Sequence, residues 1–201
     1  MELLLIRHAR PFHATDAGGA DPELTPDGRD QARRLAAALA GGRYDHIDRI
    51  VSSPMQRAVQ TAHEIGQQLG IQPSLDEWLC EFDRGWTTYG IDQSAYGHRS
   101  ELFATLNAGR LRGNTFDPMN FRARVVSAIE DVMATVDDDT ERVAIVCHGG
   151  VINAYLTYLL NQARTFAFDP YYTSITRILA ETDGYREIRS INETAHLEHC
   201  G

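Results

Sequence analysis

A run of four apolar residues, Leu3-Leu4-Leu5-Ile6, ends abruptly in the cationic pair Arg7-His8. A short run of this kind suits a strand buried on both faces, as in parallel sheets. Arg49-Ile50-Val51-Ser52 and Arg142 to Cys147 are similar runs, and each leads within a few residues into a helical pattern. The first of the helices starts with Thr25 as N-cap, Pro26 at its first position and Asp27 in its first turn, and stops at Gly41-Gly42. A second runs from Met55 to Leu69 and ends at Gly70; a third opens at Gly149 and reaches Asn161. Strands alternating with helices predict βαβ units. Further on, Asp117-Pro118 starts a helix whose Phe121, Val125, Ile129, Val132 and Val136 form an apolar stripe for core packing. Ser174 to Thr182 and Tyr185 to Asn192 read as two strands around a two-residue Asp183-Gly184 turn. The expected fold is α/β: a three-layer sandwich with a largely parallel central sheet flanked by helices, completed by a C-terminal β-hairpin.

The 201 residues read as one domain, 1–201, with no linker and no internal repeat. Residues 82–117 lack periodicity and carry several aromatic and glycine residues, apart from a short helix near Arg99 to Ala108, which suggests a lid or substrate segment. The net charge of −9 disfavours nucleic acid and anionic membrane as partners. All 19 basic residues are arginine, which excludes lysine chemistry. Three cysteines without metal-like spacing fit a cytoplasmic protein, and the N-terminus lacks a signal-peptide pattern. Val143 to Leu160 has no charged residue, but His148, two glycines and Asn153 favour strand, turn and helix over a membrane span.

Ligands in open α/β sheets sit beyond the carboxyl ends of the strands. At such places, or in the irregular region, stand Arg7-His8, Ser52-Ser53-Pro54-Met55-Gln56-Arg57, Leu79-Cys80-Glu81-Phe82-Asp83-Arg84-Gly85 and Val146-Cys147-His148-Gly149-Gly150. With the strands as parallel neighbours, two imidazoles, two guanidiniums and a carboxylate would converge on one anion-sized space. Arginine presents a planar fork that suits phosphate, and histidine works as nucleophile or acid/base near neutral pH.

These segments resemble the histidine phosphatase superfamily, also called the phosphoglycerate mutase-like family, over about residues 2 to 192. Arg7-His8 resembles its Arg-His-Gly signature, and Leu24-Thr25-Pro26-Asp27-Gly28 with Gln31-Ala32 its first-helix pattern. Ser52-Ser53-Pro54 through Arg57-Ala58 to Gln60-Thr61-Ala62 is similar to the second signature, and His148-Gly149-Gly150 to the last. The resemblance implies a metal-independent phosphatase without cofactors that acts on a small phosphorylated molecule. His8 would become a phosphohistidine, and Arg7, Arg57 and His148 would hold the phosphoryl oxygens, assisted by amides near Gly149. Glu81 would act as acid and then base, with Asp83 or Glu77 as alternatives.

Several residues depart from the family pattern. Ala9 replaces the signature glycine; its N–H would still reach an anion, while its methyl would crowd the site or forbid a positive φ. Ala14 stands where mutases carry an asparagine, and no lysine is present, which favours a phosphatase over a mutase-type isomerase or a binding module that has lost catalysis. His13 lies near enough in sequence to line the pocket. Trp86, Tyr89, Tyr96 and Phe103 would either stack on the leaving group or, as favoured, form the lid's own core. The terminal hairpin offers an edge for a homodimer.

Overall fold

The computed structural model describes residues 1–13, 21–90, 95–136 and 140–198. Ala14, His199 and Cys200 lie outside them. The elements are β1 (Glu2–Arg7), α1 (Pro26–Ala40), β2 (Arg49–Ser52), α2 (Gln56–Leu69), β3 (Ser74–Leu75), α3 (Arg99–Asn107), β4 (Arg110–Leu111), β5 (Asn114–Thr115), α4 (Pro118–Ala134), β6 (Arg142–Cys147), α5 (Gly149–Leu159), β7 (Ile175–Ala180) and β8 (Arg186–Glu193). The main sheet has the order β3-β2-β6-β1-β7-β8. β1 runs parallel to β6, β6 to β2 and β2 to β3, whereas β7 and β8 close the sheet antiparallel. This is the α/β sandwich expected, including its terminal hairpin.

Why β1 reads as an unbroken apolar run follows from its position between β6 and β7. Successive side chains point to opposite faces. Leu3 and Leu5, with Val143 and Ile145 of β6, enter the core that α4 and α5 cover. Leu4 and Ile6, with Ala144 and Val146, enter the core beneath α1 and α2. Burial on both faces removes any polar alternation.

The starts of α1 and α4 follow the expected side-chain chemistry, whereas α2 and α5 lack a cap from the residue that precedes them. Thr25 Oγ1 accepts from the Gly28 amide at 2.9 Å to cap α1. Asp117 Oδ1 accepts from the Met119 and Asn120 amides to cap α4. α2 has no cap of its own: Asp21, 35 residues upstream, takes the Gln56 amide at 2.9 Å. The closing hairpin differs from the expected two-residue turn. Glu181 still pairs with Tyr185, so Thr182-Asp183-Gly184 makes a three-residue loop with Gly184 at φ +96°. Glycine there supplies the left-handed position that ends such loops.

The described parts of the irregular region, 82–90 and 95–117, fold over the carboxyl rim of the sheet. Phe82, Trp86, Phe116, Phe121 and Phe166 pack ring to ring, with centroids 4.5–6.1 Å apart. The ribbon β4–β5, which periodicity did not reveal, turns through Arg112 and Gly113 at φ +50° and +79°. Two asparagines fasten the strap at residues 165–168. Asn107 of α3 donates to the Phe103 and Phe166 carbonyls and accepts from the Thr165 and Phe166 amides. Asn153 of α5 donates to the Gly149 and Phe168 carbonyls and accepts from the Ala167 and Phe168 amides. No helix among the described residues is long and apolar enough to cross a membrane.

Candidate active site

Strand register brings the site together. Arg7 pairs with Cys147 and Ser52 with Val146, so His8, His148 and Ser53 leave three adjacent strands at one level. The ladder extends one residue further, with the His8 amide on the Cys147 carbonyl at 2.9 Å and the Ser53 amide on Val146 at 3.0 Å. The two imidazoles lie 5.2 Å apart between ring centres, and both are buried. Burial, then the charges of Arg57 and Arg7, hold His8 well below the usual imidazole range, so its ring is neutral. Its Nδ1 lies 2.8 Å from the Ala9 carbonyl; a carbonyl only accepts, so Nδ1 carries the proton and Nε2 the lone pair. Burial and the same arginines depress His148 too, and its Nε2 sits 2.8 Å from Ser53 Oγ.

Arg57, in the first turn of α2, is fully buried. Its Nη2 donates to Asp83 at 3.1 Å, its Nη1 to Asp21 at 3.4 Å, and the guanidinium lies 4.4 Å from the Tyr89 ring centre. Burial works against its charge, but Asp83 and the other acidic groups around it outweigh that and keep it cationic. Arg7 is held from the far end of the chain. It donates to the Pro170 carbonyl and, at 3.3 Å, to Asp169, while Tyr172 lies beneath its guanidinium at 4.2 Å.

Glu81 lies against the start of α5. Its Oε2 accepts from the Gly150 amide at 2.7 Å and its Oε1 from the Phe82 amide at 3.1 Å. Burial, reinforced by the neighbouring charge of Asp83, raises its pKa to about 7. A carboxyl half-protonated at neutral pH can both give and take a proton. The fit requires Gly150, because a Cβ there would stand 2.2 Å from Glu81 Oε1.

All five expected residues, Arg7, His8, Arg57, Glu81 and His148, therefore meet at the rim. Of the alternative acids, Asp83 is committed to Arg57, and Glu77 forms an ion pair with Arg84 on the outside. His13 lines the cavity next to Tyr89. Tyr89 also faces the site, 6.5 Å from His8 between ring centres, whereas Trp86 belongs to the aromatic cluster of the cap. Ala9 corrects two expectations. Its N–H donates to Thr61 Oγ1 at 3.0 Å instead of facing an anion, and its methyl packs with Leu24 and Ala32. Its φ is not positive, so the absent glycine is not needed. Of the amides near Gly149 expected to assist an anion, that of Gly150 serves Glu81. Sequence reasoning missed Asp169, Pro170 and Tyr172. The only signal was a dense Phe-Asp-Pro-Tyr-Tyr run ahead of β7. Among the described residues no group of three or more His, Cys, Asp or Glu side chains is placed to hold a metal ion.

The chain belongs to the histidine phosphatase superfamily, branch 1, whose family model matches residues 3–194. It is thereby a phosphatase of the phosphoric monoester hydrolase class. Among its relatives, a putative phosphoserine phosphatase 2 from Hydrogenobacter thermophilus is 32% identical over 163 residues, covering 78% of this chain and 77% of the relative. A glucosyl-3-phosphoglycerate phosphatase from Mycobacterium tuberculosis is 30% identical over 169 residues, covering 79% and 74%. The solved structure of a mycobacterial glucosyl-3-phosphoglycerate phosphatase superposes with a TM-score of 0.76 at 25% identity, covering 96% of this chain and 99% of that one.

Proposed function

We propose that the protein hydrolyses phosphomonoesters of small molecules through a phosphohistidine on His8. The observation that carries this is a neutral, buried imidazole with its Nδ1 proton fixed on the Ala9 carbonyl, set between two arginines. In the first step His8 Nε2 attacks phosphorus, and the ester P–O bond breaks. Protonated Glu81 gives its proton to the departing oxygen, so the alcohol leaves neutral. In the second step the Glu81 carboxylate takes a proton from water, whose oxygen attacks the phosphorus of the phosphohistidine. Inorganic phosphate leaves, and His8 and protonated Glu81 are regenerated. Arg7, Arg57 and His148 hold the phosphoryl oxygens and balance the charge that develops between the attacking and departing groups. The segment 82–117 serves as the cap that selects the leaving group.

The test is phosphate release in EDTA by wild type and His8→Ala, alongside mass spectrometry of the acid-labile adduct. The reading predicts EDTA-resistant turnover and a phosphoryl group on His8, both lost in the variant. Full activity of His8→Ala refutes it. A phosphoenzyme that forms but resists water points to an isomerase.

A further inference from the structure

The cavity over His8 has a volume of about 770 Å³, far more than a phosphoryl group needs and in the range that holds whole small molecules. Its inner wall beneath the cap is apolar. Leu102 and Leu106 come from α3, Leu111 from β4 and Phe166 from the strap, each at most 5% exposed. None carries a polar atom on its side chain. Asn153, which lines the cavity, and Asn107 of α3 spend their side-chain donors and acceptors on backbone groups.

The guanidiniums of the outer wall already have oxygen partners. Arg99 is 3.1 Å and Arg7 3.3 Å from the Asp169 carboxylate, Arg10 is 3.8 Å from Asp27, and Arg112 donates to the Tyr89 carbonyl at 3.3 Å. With Arg7 engaged by the phosphoryl group, a second anion on the leaving group would compete with Asp169 for Arg99 and feel its repulsion. A polyol would leave hydroxyls facing leucines, at the cost of unmade hydrogen bonds.

We infer that the preferred leaving group is an uncharged, predominantly apolar alcohol or phenol that reaches the wall formed by Leu102, Leu106, Leu111 and Phe166. This rests on the phosphohistidine reading above. It sets the chain apart from relatives whose names specify phosphoserine or glucosyl-3-phosphoglycerate, both of which carry a carboxylate.

The experiment compares kcat/KM for 2-naphthylmethyl phosphate, ethyl phosphate, O-phosphoserine and glucose 6-phosphate. The first two share an unactivated primary alkoxide, so their ratio reads the ring's contacts. With on the order of 100 Å² of ring buried, naphthylmethyl phosphate is expected to exceed ethyl phosphate roughly 50-fold. Leu106→Asp and Leu111→Ser are each expected to cut that ratio at least fivefold. A measurement without variants accompanies them: 2-naphthylmethanol is expected to inhibit ethyl phosphate hydrolysis competitively, and glycerol not at all. Phosphoserine or glucose 6-phosphate matching naphthylmethyl phosphate, a ratio unmoved in folded variants, or no inhibition by naphthylmethanol overturns the inference. If the phosphohistidine still forms in those cases, the hydrolase reading survives. No turnover of any ester and no adduct on His8 overturns both.

Discussion

Gly150→Ala isolates the seat of Glu81 from everything else in the site. The added Cβ would lie 2.2 Å from Glu81 Oε1, 2.8 Å from its Cδ and 3.0 Å from Oε2. Ordinary contact begins near 3.4 Å, so the carboxyl must retreat by about 1 Å and surrender its 2.7 Å bond from the Gly150 amide. A displacement of about 1 Å costs roughly a hundredfold in rate. The lost N–H had favoured the carboxylate, so the pKa of about 7 moves further up and the alkaline fall of kcat/KM shifts to higher pH. Stability behaves differently: Gly150 stands in the first turn of α5, where alanine favours the helix, and Tm is expected to change by no more than a few degrees. The assay is steady-state hydrolysis of ethyl phosphate across pH, with thermal unfolding in parallel. Gly149→Ala is the contrast, because its Cβ would meet Arg7 at 3.6–3.7 Å, an ordinary contact, and a few-fold loss is expected. Wild-type kcat in Gly150→Ala refutes the placement of Glu81 as the proton donor.

Three further outcomes are expected. The kcat/KM of the wild type for an alkyl phosphate falls above pH about 7, as the proton that the first step needs is lost from Glu81; in Glu81→Gln that limb disappears and the rate drops roughly 10²–10⁴-fold, read from pH–rate profiles. Arg57→Met strands Asp83 in a buried site and lowers stability by about 3–5 kcal/mol, measured by urea unfolding. Ala9→Gly removes a buried methyl and gives no gain in kcat, because the N–H at that position is already bound to Thr61; its unfolding free energy falls by about 1 kcal/mol.

Local chemistry made much of this molecule readable. Strand ends, the Thr25 and Asp117 caps, and a histidine directly after each of two buried strands are encoded within a few residues of where they act. The site's composition was readable for the same reason, since β1, β2 and β6 deliver their loops to one rim. Features that depend on distant pairing were not. Arg7 is anchored by residues more than 160 positions away, and α2 borrows Asp21 as its cap. β3 consists of two exposed residues that exist as a strand only because β2 is there to pair with them. Ala9 misled for a related reason: an expectation about glycine presumed a positive φ and a free amide, whereas φ is not positive and Thr61 takes the amide.

The two asparagines that hold the strap are neutral, and that sets how the mouth answers to its medium. An amide does not titrate, and its bonds to buried backbone are not screened by ions. The Asp169–Arg99 pair beside it is half exposed, so dissolved salt weakens it. Raising ionic strength therefore weakens the ion pairs at the lip while the asparagine-held strap keeps its shape. Because Asp169 also holds Arg7, salt loosens one anchor of the phosphate site as well.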